Sequence, residues 1–228
     1  MKYPLLLIAV ATSLQAAKQP NILFIMADDL GWMDLACQGN KLVETPNLDR
    51  LAKQGMRFTD AYAAAPVCSP TRCAVLTGQA PARIGLTTHL PGMFFPKDNR
   101  PQPAILTKQL DTDYVTIAER MREAGYKSAF LGKWHIASSV GKGGRVAPEL
   151  SPIGQGFDIN IGGTSYGGPP SFFSPYRNGE LIDGPKGEYL PDRLVNETIK
   201  FIGQNKSKPW MTHLWFYTVH WPMQAPEP

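Results

Sequence analysis

An uninterrupted apolar run, Ile22-Leu23-Phe24-Ile25-Met26, stops at two adjacent aspartates, Asp28 and Asp29, followed by Gly31. Five apolar residues without polar alternation read as a buried strand, one that ends where charged chemistry begins. The chain that follows supplies helices to pack on it. Thr45-Pro46 has the form of an N-cap with proline at the first helical position, opening a helix through Leu48, Leu51 and Ala52 to Gly55. Residues 57–62 read as a second strand, and residues 71–76 as a helix that ends near Gly78. Asp113 is expected to cap another helix, with Val115, Ile117, Ala118 and Met121 inward and Gly125 as its stop. Residues 127–131 are strand-like; a helix over 192–202 then leads into an aromatic-rich strand over 210–219. Strands alternating with helices predict an α/β fold with a mostly parallel central sheet flanked by helices.

In such sheets ligands collect at the carboxyl ends of the strands. Asp28, Asp29, Lys133, His135 and His220 all fall at or just after an expected strand end. Adjacent aspartates beside a buried strand are costly unless something neutralises them. Two hard oxygen donors suit Ca2+ or Mg2+; a helix cap or a turn is the plainer alternative. Lys133 and His135 are one residue apart, so extended backbone would put both on one face with Trp134 on the other. A cation beside an imidazole can bind an anionic oxygen and shuttle a proton. Arg72 lies four residues after Cys68 at an expected helix start, which lets both face one cavity. Cys68 itself is open to three readings: structural thiol, disulfide partner or nucleophile. Between residues 138 and 191 glycine and proline dominate and helical periodicity is lost, the long irregular structure that shapes binding clefts.

Cys68-Ser69-Pro70-Thr71-Arg72 carries the pattern Cys-x-Pro-x-Arg. Together with Asn21 to Asp29 upstream and Gly132-Lys133-Trp134-His135 downstream, it makes the chain resemble the N-terminal half of a type I, formylglycine-dependent sulfatase of the alkaline phosphatase superfamily. The likeness is strong over residues 20–137 and weaker out to His220. It implies that a formylglycine-generating enzyme oxidises Cys68 to an aldehyde. One hydroxyl of the hydrated aldehyde would attack sulfur and expel the alcohol; deprotonating the other would eject sulfate. By the same resemblance Asp28, Asp29 and Cys68 would hold the metal, with Ca2+ favoured over Mg2+. Arg72 would hold the hydrate, Lys133 would contact sulfate and hydrate, and His135 would accept the proton that drives sulfate release. His220 would touch sulfate and protonate the leaving alcohol. Two positions depart from the family pattern: Gln79 stands where many members have arginine, and Val219 where proline often precedes the histidine. His89, in a cleft-side loop, and His213, inside a strand, receive no role. The family's remaining metal ligands lie in a second half, so residues 18–228 are expected to be the N-terminal part of a longer catalytic domain.

With 43% hydrophobic and 18% charged residues, the 228-residue chain is globular rather than disordered. A net charge of +4 without a dense Lys/Arg run gives no nucleic-acid face and suits an anionic substrate. Lys2, the apolar residues 5–11 and Ala16-Ala17 read as a secretory signal over residues 1–17. That stretch is too short to span a bilayer, so the expectation is export to the periplasm or medium without stable membrane insertion. Of three cysteines, Cys37 and Cys73 either pair or stay as buried thiols. The resemblance points to hydrolysis of a sulfate monoester on a sulfated carbohydrate, for which long cleft loops leave room. Two alternatives stand beside it: a phosphodiester or phosphonate hydrolase of the same superfamily, and a non-catalytic glycan-binding protein on a sulfatase-like fold.

Overall fold

The computed structural model describes residues 19–92 and 104–227, so the expected signal segment over 1–17 lies outside the described residues. Four strands form one sheet: β1 (Ile22–Met26), β2 (Lys127–Gly132), β3 (Ile159–Ile161) and β4 (Trp210–Trp215). Their order is β1-β4-β2-β3 and every pairing is parallel. Parallel neighbours require crossovers over the sheet faces. The helices α4 (Ile117–Glu123) and α5 (Leu190–Gln204) end the connections into β2 and β4.

Side chains of successive strand residues point to opposite faces, and the two cores follow that period of two. Phe130 of β2 with Met211 and Trp215 of β4 joins a cluster containing Cys73, Leu76, Ala118 and Phe157. Ala129 and Leu131, with Trp210 and Leu214, pack instead on Leu190, Leu194 and Phe201 of α5. The helix α2 (Cys68–Thr77) contributes Cys73 and Leu76 to the first layer and ends on Gly78, whose φ of 67° is left-handed; the short helix α3 (Pro81–Ile84) follows and adds Ile84. At φ 99°, Gly132 closes β2 so tightly against its neighbour that a Cβ would fall on the Trp215 carbonyl oxygen.

The expected α/β fold and its mostly parallel sheet are observed, with corrections in detail. Helix α4 starts after Thr116, not Asp113. Thr116 and Glu119 form a reciprocal capping box, which satisfies two end groups at once. Of the four residues expected to face inward, Ala118 is buried and Met121 half-buried, while Val115 and Ile117 are exposed. Residues 57–62 are not a strand, since no second backbone among the described residues forms a ladder with them. Helix α1 (Pro46–Gln54) runs as expected, but Thr45 is not its side-chain cap: its hydroxyl donates to Asp49 Oδ1 at 2.9 Å. The last ladder ends at Trp215. Beyond it the chain stays tied to the end of β1, through Phe216 N–H to the Met26 carbonyl at 2.9 Å and Asp28 N–H to the Thr218 carbonyl at 2.9 Å. No helix among the described residues is long and apolar enough to cross a membrane.

Candidate functional site

The carboxyl ends of β1, β2 and β4 converge on one buried cluster. Asp28 is 5% exposed, and its Oδ1 meets Arg72 Nη2 at 3.2 Å while Oδ2 accepts from Lys133 Nζ. Arg72 Nη1 donates to the Lys133 carbonyl at 2.6 Å, and its guanidinium lies 5.2 Å from the centre of a Trp215 ring. Two fully buried cations thus share one carboxylate. Burial pulls both cations below their ordinary pKa values, and Asp28 pulls them back up. The excess positive charge makes this strand end a ready host for an anion.

Cys68 is the first residue of α2, and Pro70 sits in that helix's first turn, where a missing N–H costs nothing. Thr71 clamps the approach to the helix by donating to the Ala65 carbonyl at 2.8 Å and accepting from Ala65 N–H at 3.2 Å. Cys68 stands in the wall between two cavities. One, of about 570 Å³, is also lined by His89, His135, Tyr166 and His220. The other, of about 240 Å³, is lined by Asp28, Asp29, Thr71 and Arg72. Asp29 faces both.

Asp29 and His135 have left-handed backbones, φ 60° and 54°. For Asp29 the turn separates the two adjacent carboxylates. Asp28 goes inward to the cations, while Asp29 lies open with Oδ2 at 3.8 Å from His220 Nε2. His220 Nδ1 lies against the Trp221 carbonyl and so carries the ring hydrogen, which leaves Nε2 facing Asp29. For Lys133 and His135 the bent backbone replaces the alternation expected of a strand. Lys133 runs to Asp28, Trp134 packs edge-on against Phe130 and Phe157, and His135 turns towards the larger cavity.

His135 is buried with Nε2 at 2.7 Å from the Leu90 carbonyl, so Nε2 carries the hydrogen. Its Nδ1 is buried without a partner. Burial first, then the Lys133 charge, pushes the imidazole down to about 3 and keeps it neutral. Gly167 runs beside this ring so closely that a Cβ would lie 2.7 Å from His135 Cε1. Ser69, Leu90, Tyr166 and Gly167 escaped the sequence reading. Only the glycine pair at 167–168 hinted at a close approach; the others act through tertiary contact.

Asp28 and Asp29 offer hard oxygens to one cavity, which fits a divalent cation in part. Both Asp28 oxygens are engaged by cations, and among the described residues no three His, Cys, Asp or Glu side chains gather as a metal site. Two carboxylates fall short of the about six to eight oxygens a calcium ion takes, so among the described residues they do not make up a metal site by themselves. Cys37, Cys68 and Cys73 are all free thiols, so Cys37 and Cys73 do not pair. Burial pushes the Cys73 thiol up to about 12. His213 is buried in β4 and His89 lines the larger cavity, as their sequence positions implied.

The family model described as Sulfatase matches residues 20–228. N-acetylgalactosamine-6-sulfatase of Canis lupus familiaris is 40% identical over 180 residues, covering 76% of this chain and 31% of that protein. Arylsulfatase A of Homo sapiens is 42% identical over 159 residues, covering 69% of this chain and 28% of that protein. Among solved structures, BT4656 in complex with its substrate D-glucosamine-2-N,6-O-disulfate superposes with a TM-score of 0.69 at 27% identity, covering 92% of this chain and 39% of that chain. The chain therefore spans about a third of the length of the curated relatives it matches.

Proposed function

The chain belongs to the sulfatase family, and on that premise we propose that the protein it represents hydrolyses a sulfate monoester carried on a carbohydrate. The observation that carries this reading is the placement of Cys68. The cysteine of a Cys-x-Pro-x-Arg motif stands at a cavity wall beside two buried cations and two histidines. The sugar is supported by relatives that are an N-acetylgalactosamine-6-sulfatase and a structure bound to a sulfated glucosamine.

In this reading, formylglycine made from Cys68 by a formylglycine-generating enzyme supplies a nucleophilic hydroxyl, and a hard divalent cation on Asp28 and Asp29, Ca2+ before Mg2+, supplies charge to polarise the ester. The rest is the work of side chains already in place. Arg72 and Lys133, both fixed by Asp28 and the first also by the Lys133 carbonyl, hold anionic oxygens without having to reorganise. His135, neutral and with Nδ1 free, takes a proton. His220, once Nε2 carries a proton in addition to the Nδ1 hydrogen held by the Trp221 carbonyl, would pass that Nε2 proton to the departing alcohol. Export through the segment at residues 1–17 would bring the enzyme to extracellular or periplasmic glycans.

Replacing Cys68 by alanine in the full-length protein should remove sulfate release altogether. Mass spectrometry of the peptide bearing Cys68 should find an aldehyde in place of the thiol. Sulfate release by the alanine variant at the wild-type rate would overturn the proposal.

A further inference from the structure

Ser69 occupies an unspecified position of the Cys-x-Pro-x-Arg motif, yet it is fully buried and bonded at both ends. Its hydroxyl donates to the His135 carbonyl at 2.8 Å and accepts from Leu90 N–H at 3.0 Å. The Leu90 carbonyl in turn accepts from His135 Nε2 at 2.7 Å. The three bonds close a ring that leaves His135 through its imidazole and returns to it through its own carbonyl. A second bond, His135 N–H to the Thr164 carbonyl at 3.0 Å, holds the backbone from the other side.

A carbonyl oxygen can only accept, so the position of the Leu90 carbonyl decides which ring nitrogen carries hydrogen. Ser69 decides where that carbonyl sits, because it bonds Leu90 and His135 through one oxygen. We propose that Ser69 is a positioning residue that fixes His135 as its Nε2-protonated tautomer, leaving the lone pair on Nδ1, the ring nitrogen without a partner. The role in turnover rests on the sulfatase reading above; the tautomer does not. Because Ser69 follows Cys68 directly, one helix start carries both the modified residue and the hydroxyl that orients the histidine facing the same cavity.

The test compares wild type, Ser69→Ala and Ser69→Thr in the full-length protein, labelled with 15N-histidine. Ring-nitrogen NMR should show His135 of the wild type with a pyrrole-like Nε2 and a pyridine-like Nδ1. Ser69→Ala removes volume without adding any, and its His135 signals should move towards tautomer exchange. Ser69→Thr, which keeps the hydroxyl, should return them. Formylglycine content is measured in each sample, so that rates on an aryl sulfate are expressed per converted site. On that basis kcat of Ser69→Ala should fall at least about tenfold, and by no more than the roughly 10²–10⁴-fold a positioned acid or base contributes, with KM within about threefold. Unchanged ring signals in Ser69→Ala, or an Nδ1-protonated ring in wild type, would overturn the proposal. Absence of sulfate release in wild type from both the aryl sulfate and a sulfated glucosamine would defeat the sulfatase reading and leave the tautomer result to stand on its own.

Discussion

β1 and β4 lie side by side in parallel register, and both are apolar, but they differ in what covers them. All six residues of β4 are buried between α5 on one face and the α2 side on the other. In β1 the three central residues, Leu23, Phe24 and Ile25, are exposed. Their helices differ in the same way. Leu190, Leu194, Thr198 and Phe201 of α5 are buried, whereas α1 buries none of its residues and leaves Leu48 and Leu51 exposed. An apolar run therefore specifies a strand or an amphipathic helix, but burial depends on what covers it, and the middle of β1 and the leucines of α1 stay uncovered among the described residues. The site sits at the seam between the two regions, with Asp28 and Asp29 from the exposed strand and Lys133 and His135 following a buried one.

Stability measurements can sharpen or break this contrast. The largest effect is expected from Leu214→Ala in β4, at 3% exposure, which should cost about 2–5 kcal/mol in urea unfolding because it opens a cavity between α5 and the sheet. Next is His213, packed against Phe24, Phe157 and Trp215. Burial holds its imidazole down to about 4 from an ordinary 6.5. The unfolded chain binds that proton first, so the contribution to stability is complete above pH 6.5 and fades as pH falls towards 4, in total on the order of 3 kcal/mol. His213→Phe should flatten that acid limb, and a limb unchanged by the substitution would show that His213 does not cause it. Ile25→Ala in β1, at 52% exposure, should cost less than about 1 kcal/mol. Smallest of all, Leu51→Ala on α1 should stay within about 0.5 kcal/mol. If Ile25→Ala cost as much as Leu214→Ala, the outer strand would be covered in solution and the contrast would fail.

What the sequence made legible follows the range of the physics involved. The strands β1 and β2 and the helices α2 and α5 were readable because an apolar run or a glycine stop is local. Asp113 was mistaken for a cap because Thr116 and Glu119, three residues apart, satisfy each other and the backbone together. Residues 57–62 have the composition of a strand but no partner among the described residues, and pairing is a property of two segments. The candidate residues stand out in the sequence as polar groups at strand ends, and one cavity is lined by Cys68, His135 and His220. The bent backbone at His135 was not legible, because its cause is a carbonyl of Thr164 and a serine 66 residues away. Ser69 shows the limit most clearly: nothing in its neighbours along the chain announces a bond to His135.

Gly132 opens the block Gly132-Lys133-Trp134-His135, and it is held there for a reason unlike that of the residues after it. Its left-handed φ and the Trp215 carbonyl leave no room for a side chain of any kind. The glycine is thus dictated by the adjacent strand, whatever reaction the neighbouring lysine and histidine perform. A signature read as one word holds two kinds of letter, some free to carry chemistry and some fixing only the spacing between backbones. A chain with other residues at positions 133 and 135 would still be obliged to keep the glycine.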